Sequence, residues 1–184
     1  MKKLTLVFAL LVLCGSASAQ TVPPNLALSA TAWAETFLCS SYPISALKDG
    51  NRNTWWEGTK FPEKCGLTWP SSKFFNLILV KMPLTWGMQN HAQPMVVESS
   101  MDGVTWTVIV ADNVYHFNGT NPATNGAIQY FDMGIEPGRL IQARHIRITT
   151  KKNTITNLVP FLEKQGPQIG EIEVYRITKP TLAP

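Results

Sequence analysis

The sequence predicts an all-β sandwich or jelly roll. Short runs in which apolar and polar residues alternate carry that reading, together with dense turn signals between them. No internal repeat, low-complexity tract or long helical periodicity competes with it. A series of short strands separated by turns must bury one face against a second sheet, which is the architecture of sandwiches and jelly rolls.

Taken in chain order, the first nineteen residues read as a secretory signal peptide. Lys2 and Lys3 give a basic start, Leu4 to Leu13 an apolar run, and Ala17-Ser18-Ala19 a small-residue cleavage pattern before Gln20. The apolar run is too short to span a bilayer as a helix. Leu13 is too large for a good lipoprotein signal, so lipid anchoring at Cys14 is not expected. The mature chain, from Gln20 to Pro184, has the length of a single domain. Thr21-Val22-Pro23-Pro24 reads as an extended lead and Lys179 to Pro184 as a frayed tail.

Between these ends, Phe74 to Met82 is almost continuously apolar and should lie deep in a sheet. Thr105-Trp106-Thr107-Val108-Ile109-Val110 places Trp106, Val108 and Val110 on one face, which reads as a core face. His145-Ile146-Arg147-Ile148-Thr149 and Glu171-Ile172-Glu173-Val174-Tyr175 repeat the period-two device. Pro43, Asp49-Gly50, Asp102-Gly103, Asn118-Gly119, Asn125-Gly126 and Pro137-Gly138 are the turn signals.

Charge excludes one class of partner. Loss of Lys2 and Lys3 takes the formal net charge from +4 to +2, and a nucleic-acid binder would normally carry a clustered basic face. Arg144, Arg147, Lys151 and Lys152 form the densest basic group and read as a solvated strand edge. After signal removal Cys39 and Cys65 remain. An even pair in an exported chain reads as one disulfide, worth roughly 3.5 kcal/mol for a loop of that length in the chain-entropy account.

Catalytic signatures are absent. There is no His-Glu-x-x-His helix, no Gly-x-Ser-x-Gly elbow and no phosphate-binding glycine loop. His91, His116 and His145 are widely separated, and no spacing singles out a carboxylate pair for glycoside hydrolysis. The chemistry that does stand out is the stretch Ala46 to Trp56, where Asp49, Asn51, Asn53 and Thr54 crowd around Gly50. Such oxygens suit a hard cation such as calcium. An EF-hand is excluded, because Thr54 stands where its invariant Gly belongs and Lys60 where its bidentate Glu belongs. On its own the stretch is either half of a cation site or a plain Asp-Gly turn.

Five segments together carry a resemblance. They are Asn25 to Ala32, Ala46 to Trp56, Glu98 to Trp106 with its Ser-x-Asp-Gly-x-x-Trp element, Ala143 to Ile148, and Ile169 to Tyr175 with its closing Glu-Ile-Glu-Val-Tyr. In this order and spacing the chain resembles the coagulation factor 5/8 type C, or discoidin, family and its bacterial relatives, the family 32 carbohydrate-binding modules. The resemblance covers about residues 25–177. It implies a galactose-binding-like β-sandwich with jelly-roll topology and one structural calcium. Carried over residue by residue, the ligands are the carbonyls of Ala46, Asn51 and Gly170, the carboxylates of Asp49 and Glu171, and the carbonyl and hydroxyl of Thr54. Trp56 falls at the family's usual core tryptophan. The family's Trp and Asp-Leu-Gly strand is replaced here by Cys65 to Pro70 and Phe74 to Met82, so no specific ligand transfers.

Ligand residues must therefore be read physically. Sugar binding needs an aromatic face for the ring and a few fixed polar groups for hydroxyls. Thr85 to Gln93 has that inventory in Trp86, Gln89, Asn90 and His91, and is expected to be a loop. Trp33, Glu35 and Phe37 in a first loop, and Tyr115 to Asn118, are further candidates. The expected function is an exported, non-catalytic carbohydrate-binding module that recognises exposed glycans or glycoconjugates. A cell-surface adhesion or protein-interaction domain is the alternative, and a glycan-active enzyme ranks behind both.

Overall fold

The computed structural model describes residues 22–83, 90–118, 128–133, 140–152 and 166–178, with the side chains of 90, 91 and 118 outside that description. The predicted signal peptide falls outside these residues.

Among the described residues there are ten strands: β1 Thr31–Ala34, β2 Trp56–Glu57, β3 Glu63–Phe75, β4 Leu77–Lys81, β5 Asn90–Ser100, β6 Thr107–Asn118, β7 Ile128–Asp132, β8 Ile141–Thr150, β9 Gln168–Ile169 and β10 Glu171–Tyr175. They build a five-stranded sheet in the order β1-β3-β8-β5-β6, a three-stranded sheet β10-β4-β7 and a two-stranded ribbon β2-β9. Every pairing is antiparallel. The result is the all-β sandwich the alternating runs predict.

The core lies between the two larger sheets. Leu67, Ile146, Ile148, Met95 and Val97 come from one, and Ile78, Val80, Phe131, Ile172 and Val174 from the other. The register explains the alternation in the sequence: Leu67 lies opposite Ile146, and Cys65 opposite Ile148, with Gly66 and Arg147 between them on the outer face. Prolines sit where the ladder can lose a donor. The β3–β8 register shifts between Thr68 and Lys73, around Pro70. Pro94 precedes Met95, where β5 first meets β8. The termini are joined through Asn25, whose Oδ1 accepts from the Ala27 N–H at 3.0 Å and from the Val174 N–H at 3.0 Å.

Several expectations are corrected. The Arg144–Lys152 group does not mark an edge, because β8 is the middle strand of its sheet. Arg147 is instead held bidentately by Glu98 at 2.7 and 2.8 Å, and Lys151 pairs with Asp112 at 2.5 Å. Trp106 is not core. It precedes β6 and covers Arg147, whose guanidinium carbon lies 4.0 Å from the ring centroid. Val108, expected on that core face, is 55% exposed, whereas Val110 packs against the core as expected and Ile109 joins it, at an irregularity of the β5–β6 register. Phe74 is likewise exposed, while Phe75, Ile78, Val80 and Met82 are buried as the apolar run predicts. Trp56 is fully buried.

Cys39 and Cys65 are both free. Cys65 points into the core from β3 and Cys39 is exposed in the loop after β1, so the expected disulfide is not formed. Burial pushes the Cys65 thiol far above its ordinary value.

Candidate functional site

The loop from Asp49 to Thr54 folds on its own polar groups. Gly50 adopts φ +77°, a left-handed conformation that glycine alone takes without strain. Asp49 Oδ1 accepts from the Asn51 N–H at 2.8 Å, and its Oδ2 accepts from the Thr54 hydroxyl at 2.7 Å. The Asn51 carbonyl accepts from the Thr54 N–H at 3.1 Å and lies 2.7 Å from the Thr54 hydroxyl. Ala46, fully buried, ends this corner from the preceding 3-10 turn Ile44–Lys48.

Glu171 reaches the loop from the far end of the chain. Its Oε2 accepts from the Gly50 N–H at 2.9 Å, so the first and last thirds of the sequence meet here. The other oxygen, Oε1, is buried without a partner. Burial, and the nearby Asp49 charge after it, push the Glu171 carboxyl up to about 7, against the Gly50 hydrogen bond that lowers it. Gly170 is pinned beside it, its N–H donating to the Lys81 carbonyl at 2.8 Å. A Cβ there would stand 2.9 Å from the Pro83 nitrogen. The unpartnered buried oxygen of Glu171, beside the Asp49 loop, is a hard donor of the kind calcium takes. Among the described residues no three His, Cys, Asp or Glu side chains gather at one point, so carbonyls must supply the rest of any coordination shell.

Among the described residues, the predicted ligand positions fall on two strands, β1 and β5. Trp86 and Gln89 lie outside the described residues. Asn90 and His91 belong to β5, opposite Asn118 and Phe117 of β6, and not to a loop. The hairpin extends past the rest of the sheet and absorbs both Gln93 and Tyr115 to Asn118 into strands. Trp33 also stands in a strand, β1, opposite Gly66. A Cβ on Gly66 would approach Trp33 Cζ2 to 3.0 Å, so the indole fills the gap left by the missing side chain.

A different group of residues assembles between the first loop and β2. Tyr42 and Trp55 stack with ring centroids 4.7 Å apart and planes tilted by 30°, both half-buried. Trp55 Nε1 donates to Glu57 Oε2 at 3.2 Å, and the Leu38 N–H donates to the Glu57 carbonyl at 2.8 Å. Glu57 is 2% exposed, and its Oε1 has no partner. Behind it, Glu63 accepts from the N–H groups of Thr59 at 2.9 Å and Lys60 at 3.2 Å, and from the Thr36 hydroxyl. Phe37 and Leu38 are each 49% exposed on the same loop. Sequence reading passed over Tyr42, Trp55 and Glu57. The available signal was the doubled Trp55-Trp56, of which alternation buries only one.

No protein-family model and no curated protein matches the sequence. Solved structures do. The family 32 carbohydrate-binding module of C. perfringens NanJ, solved with galactose, superposes with a TM-score of 0.63 at 17% identity, over 84% of this chain and 100% of that one. Chitosan-binding module 1 of a chitosanase/glucanase from Paenibacillus sp. IK-5 gives 0.61 at 21% identity, over 83% and 98%. The family 32 module of AlyQ, solved with 4,5-unsaturated mannuronic acid, gives 0.57 at 16%, over 80% and 95%. The fold is thus the galactose-binding-like β-sandwich of family 32 carbohydrate-binding modules. Against the larger SpGH29 the chain spans 28% of the length.

Proposed function

We propose that this chain is an exported, non-catalytic carbohydrate-binding module of the discoidin type, held in shape by one structural calcium. The half-buried Tyr42–Trp55 pair carries the reading. Paired aromatic faces beside a fixed carboxylate are what a pyranose ring and its hydroxyls require. The first loop and the segment before β3 form the ligand-binding surface, with no covalent chemistry. The neighbouring folds recorded with galactose, chitosan-binding activity and a uronic acid support a glycan as the class of partner. Asp49 and Glu171, with the carbonyls of Ala46, Asn51, Thr54 and Gly170, hold the calcium, which closes the sandwich and takes no part in binding.

A glycan array probed with the full mature protein and with Tyr42→Ala, Trp55→Ala and Trp86→Ala tests this. Binding to a related set of sugars is expected, weakened tenfold or more by at least one variant whose melting curve matches wild type. A blank array with folded wild-type protein overturns the reading and favours a protein-interaction domain.

A further inference from the structure

The outer face of the five-stranded sheet carries two tryptophans, Trp33 and Trp106, that belong neither to the core nor to the Tyr42–Trp55 corner. Trp33, Gly66, Arg147, Glu98 and Val108 are successive register partners, so they form one row across all five strands. The Trp33 indole lies over Gly66, and the Trp106 ring lies over Arg147, whose guanidinium carbon is 4.0 Å from the centroid. Gly66 and Arg147 face each other, about 5 Å apart as ladder partners. The two rings therefore cover neighbouring positions of the row. Both tryptophans are half-buried. One face of Trp106 rests on the guanidinium and its edge meets His145, with centroids 6.4 Å apart, which leaves the other face outward. The indole N–H groups set the pair apart as well. Those of Trp55, Trp56 and Trp69 donate to Glu57 and to the carbonyls of Thr36 and Leu26. Those of Trp33 and Trp106 have no partner among the described residues and stay open to solvent.

The charges beside the rings are paired with one another. Glu98 holds Arg147 bidentately, and their side chains are only 15% and 19% exposed. Lys64, on the same face of β3, pairs with Glu35 at 3.5 Å. His145 Nδ1 lies 3.0 Å from the Thr68 hydroxyl, and burial, with Arg144 after it, lowers its pKa, so it is neutral at pH 7. We infer that this face is a second binding surface, for an extended, neutral polysaccharide chain laid across the strands, with Trp33 and Trp106 as its stacking platforms. The inference rests on the glycan reading above and adds a site built on other residues. The apolar face of a pyranose ring stacks on an indole, and an unbonded indole N–H donates to a sugar oxygen. Two platforms on neighbouring positions engage successive residues of one chain. A charged glycan gains nothing here, because the row offers it no free counter-ion. A sheet face, unlike a closed pocket, lets the chain run on past both rings.

Affinity electrophoresis of the full mature chain through gels containing hydroxyethyl cellulose, glucomannan or arabinoxylan tests the inference, with polygalacturonate as the charged comparison. Calorimetry follows, with oligosaccharides of two to six residues from whichever polymer retards the protein. Retardation by at least one neutral polymer is expected, with affinity rising about tenfold along the oligosaccharide series as the second platform is engaged. Trp33→Ala and Trp106→Ala, with melting curves like wild type, should each lose that gain; Trp106→Phe should keep most of it and Trp55→Ala all of it. In the wild type, oxidation of Trp33 and Trp106 by N-bromosuccinimide should slow when the polymer is present, which decides the matter even if a variant fails to fold. Polymer binding that is untouched in the folded alanine variants, or matched by polygalacturonate, overturns the inference. No retardation by any neutral polymer, when the glycan array is positive, overturns it too and leaves the glycan reading intact. A blank array with no retardation overturns both.

Discussion

Glu171 is the residue at which burial and charge oppose each other most plainly. Its carboxyl is raised from an ordinary 4.5 to about 7 by burial and by Asp49. A group whose folded value lies above its unfolded value binds more protons when folded, so unfolding is favoured as pH rises between the two values. The calcium-free protein should therefore lose stability from about pH 4.5 to about pH 7. Chemical denaturation in chelator across that range checks it, and Glu171→Gln should flatten the profile. A flat wild-type profile would show that Glu171 is not held in its protonated form. Asp102 has the opposite environment. The N–H groups of Val104 and Thr105, each at 2.8 Å, hold its carboxyl well below the usual range, in the turn that Ser-x-Asp-Gly predicts.

At the scale of elements, strands were legible where one face is core and the other solvent. Ile146 and Ile148, and Ile172 and Val174, could be placed from alternation alone because register ties each to a buried partner. The reading failed where burial is set by what lies across the sheet. Trp33 and Trp106 look like loop and core residues in sequence, yet both cover the outer face of the five-stranded sheet, one over Gly66 and the other over Arg147. Asn90 to Gln93 give no alternation to read, although they pair with Tyr115 to Asn118 and Gln93 is fully buried. Gly66 carries a testable consequence of close packing. A Cβ there would lie 2.0 Å from the Ile146 carbonyl oxygen, which belongs to backbone and cannot swing away. Gly66→Ala should cost about 1–3 kcal/mol, read as a drop of several degrees in Tm. An unchanged Tm would mean that β3 and β8 can separate locally without loss.

At the scale of the molecule, the chain is closed by contacts between its ends, and this explains why the site was only half readable. By composition Asp49 to Thr54 is either half of a cation site or a plain turn, and Glu171 is 121 residues away from its Gly50 partner, so only the fold joins them. The resemblance to a known family supplied that link; spacing alone could not. Tyr42, Trp55 and Glu57 had no such help, because their grouping depends on the first loop folding back along β2. If Asp49 and Glu171 hold calcium, the ion must bind the folded chain far better than the unfolded one, since the two carboxylates converge only after the sandwich closes. Free calcium at a hundred times its Kd should then stabilise the protein by about 2.7 kcal/mol, raising Tm by roughly 5–10 °C. Differential scanning calorimetry with calcium and with chelator measures this directly. Asp49→Ala and Glu171→Ala should each abolish the shift while leaving the glycan-binding loops chemically unaltered. A Tm indifferent to calcium in the wild type would leave Glu171 Oε1 as a buried defect of the fold and would remove the staple from the account.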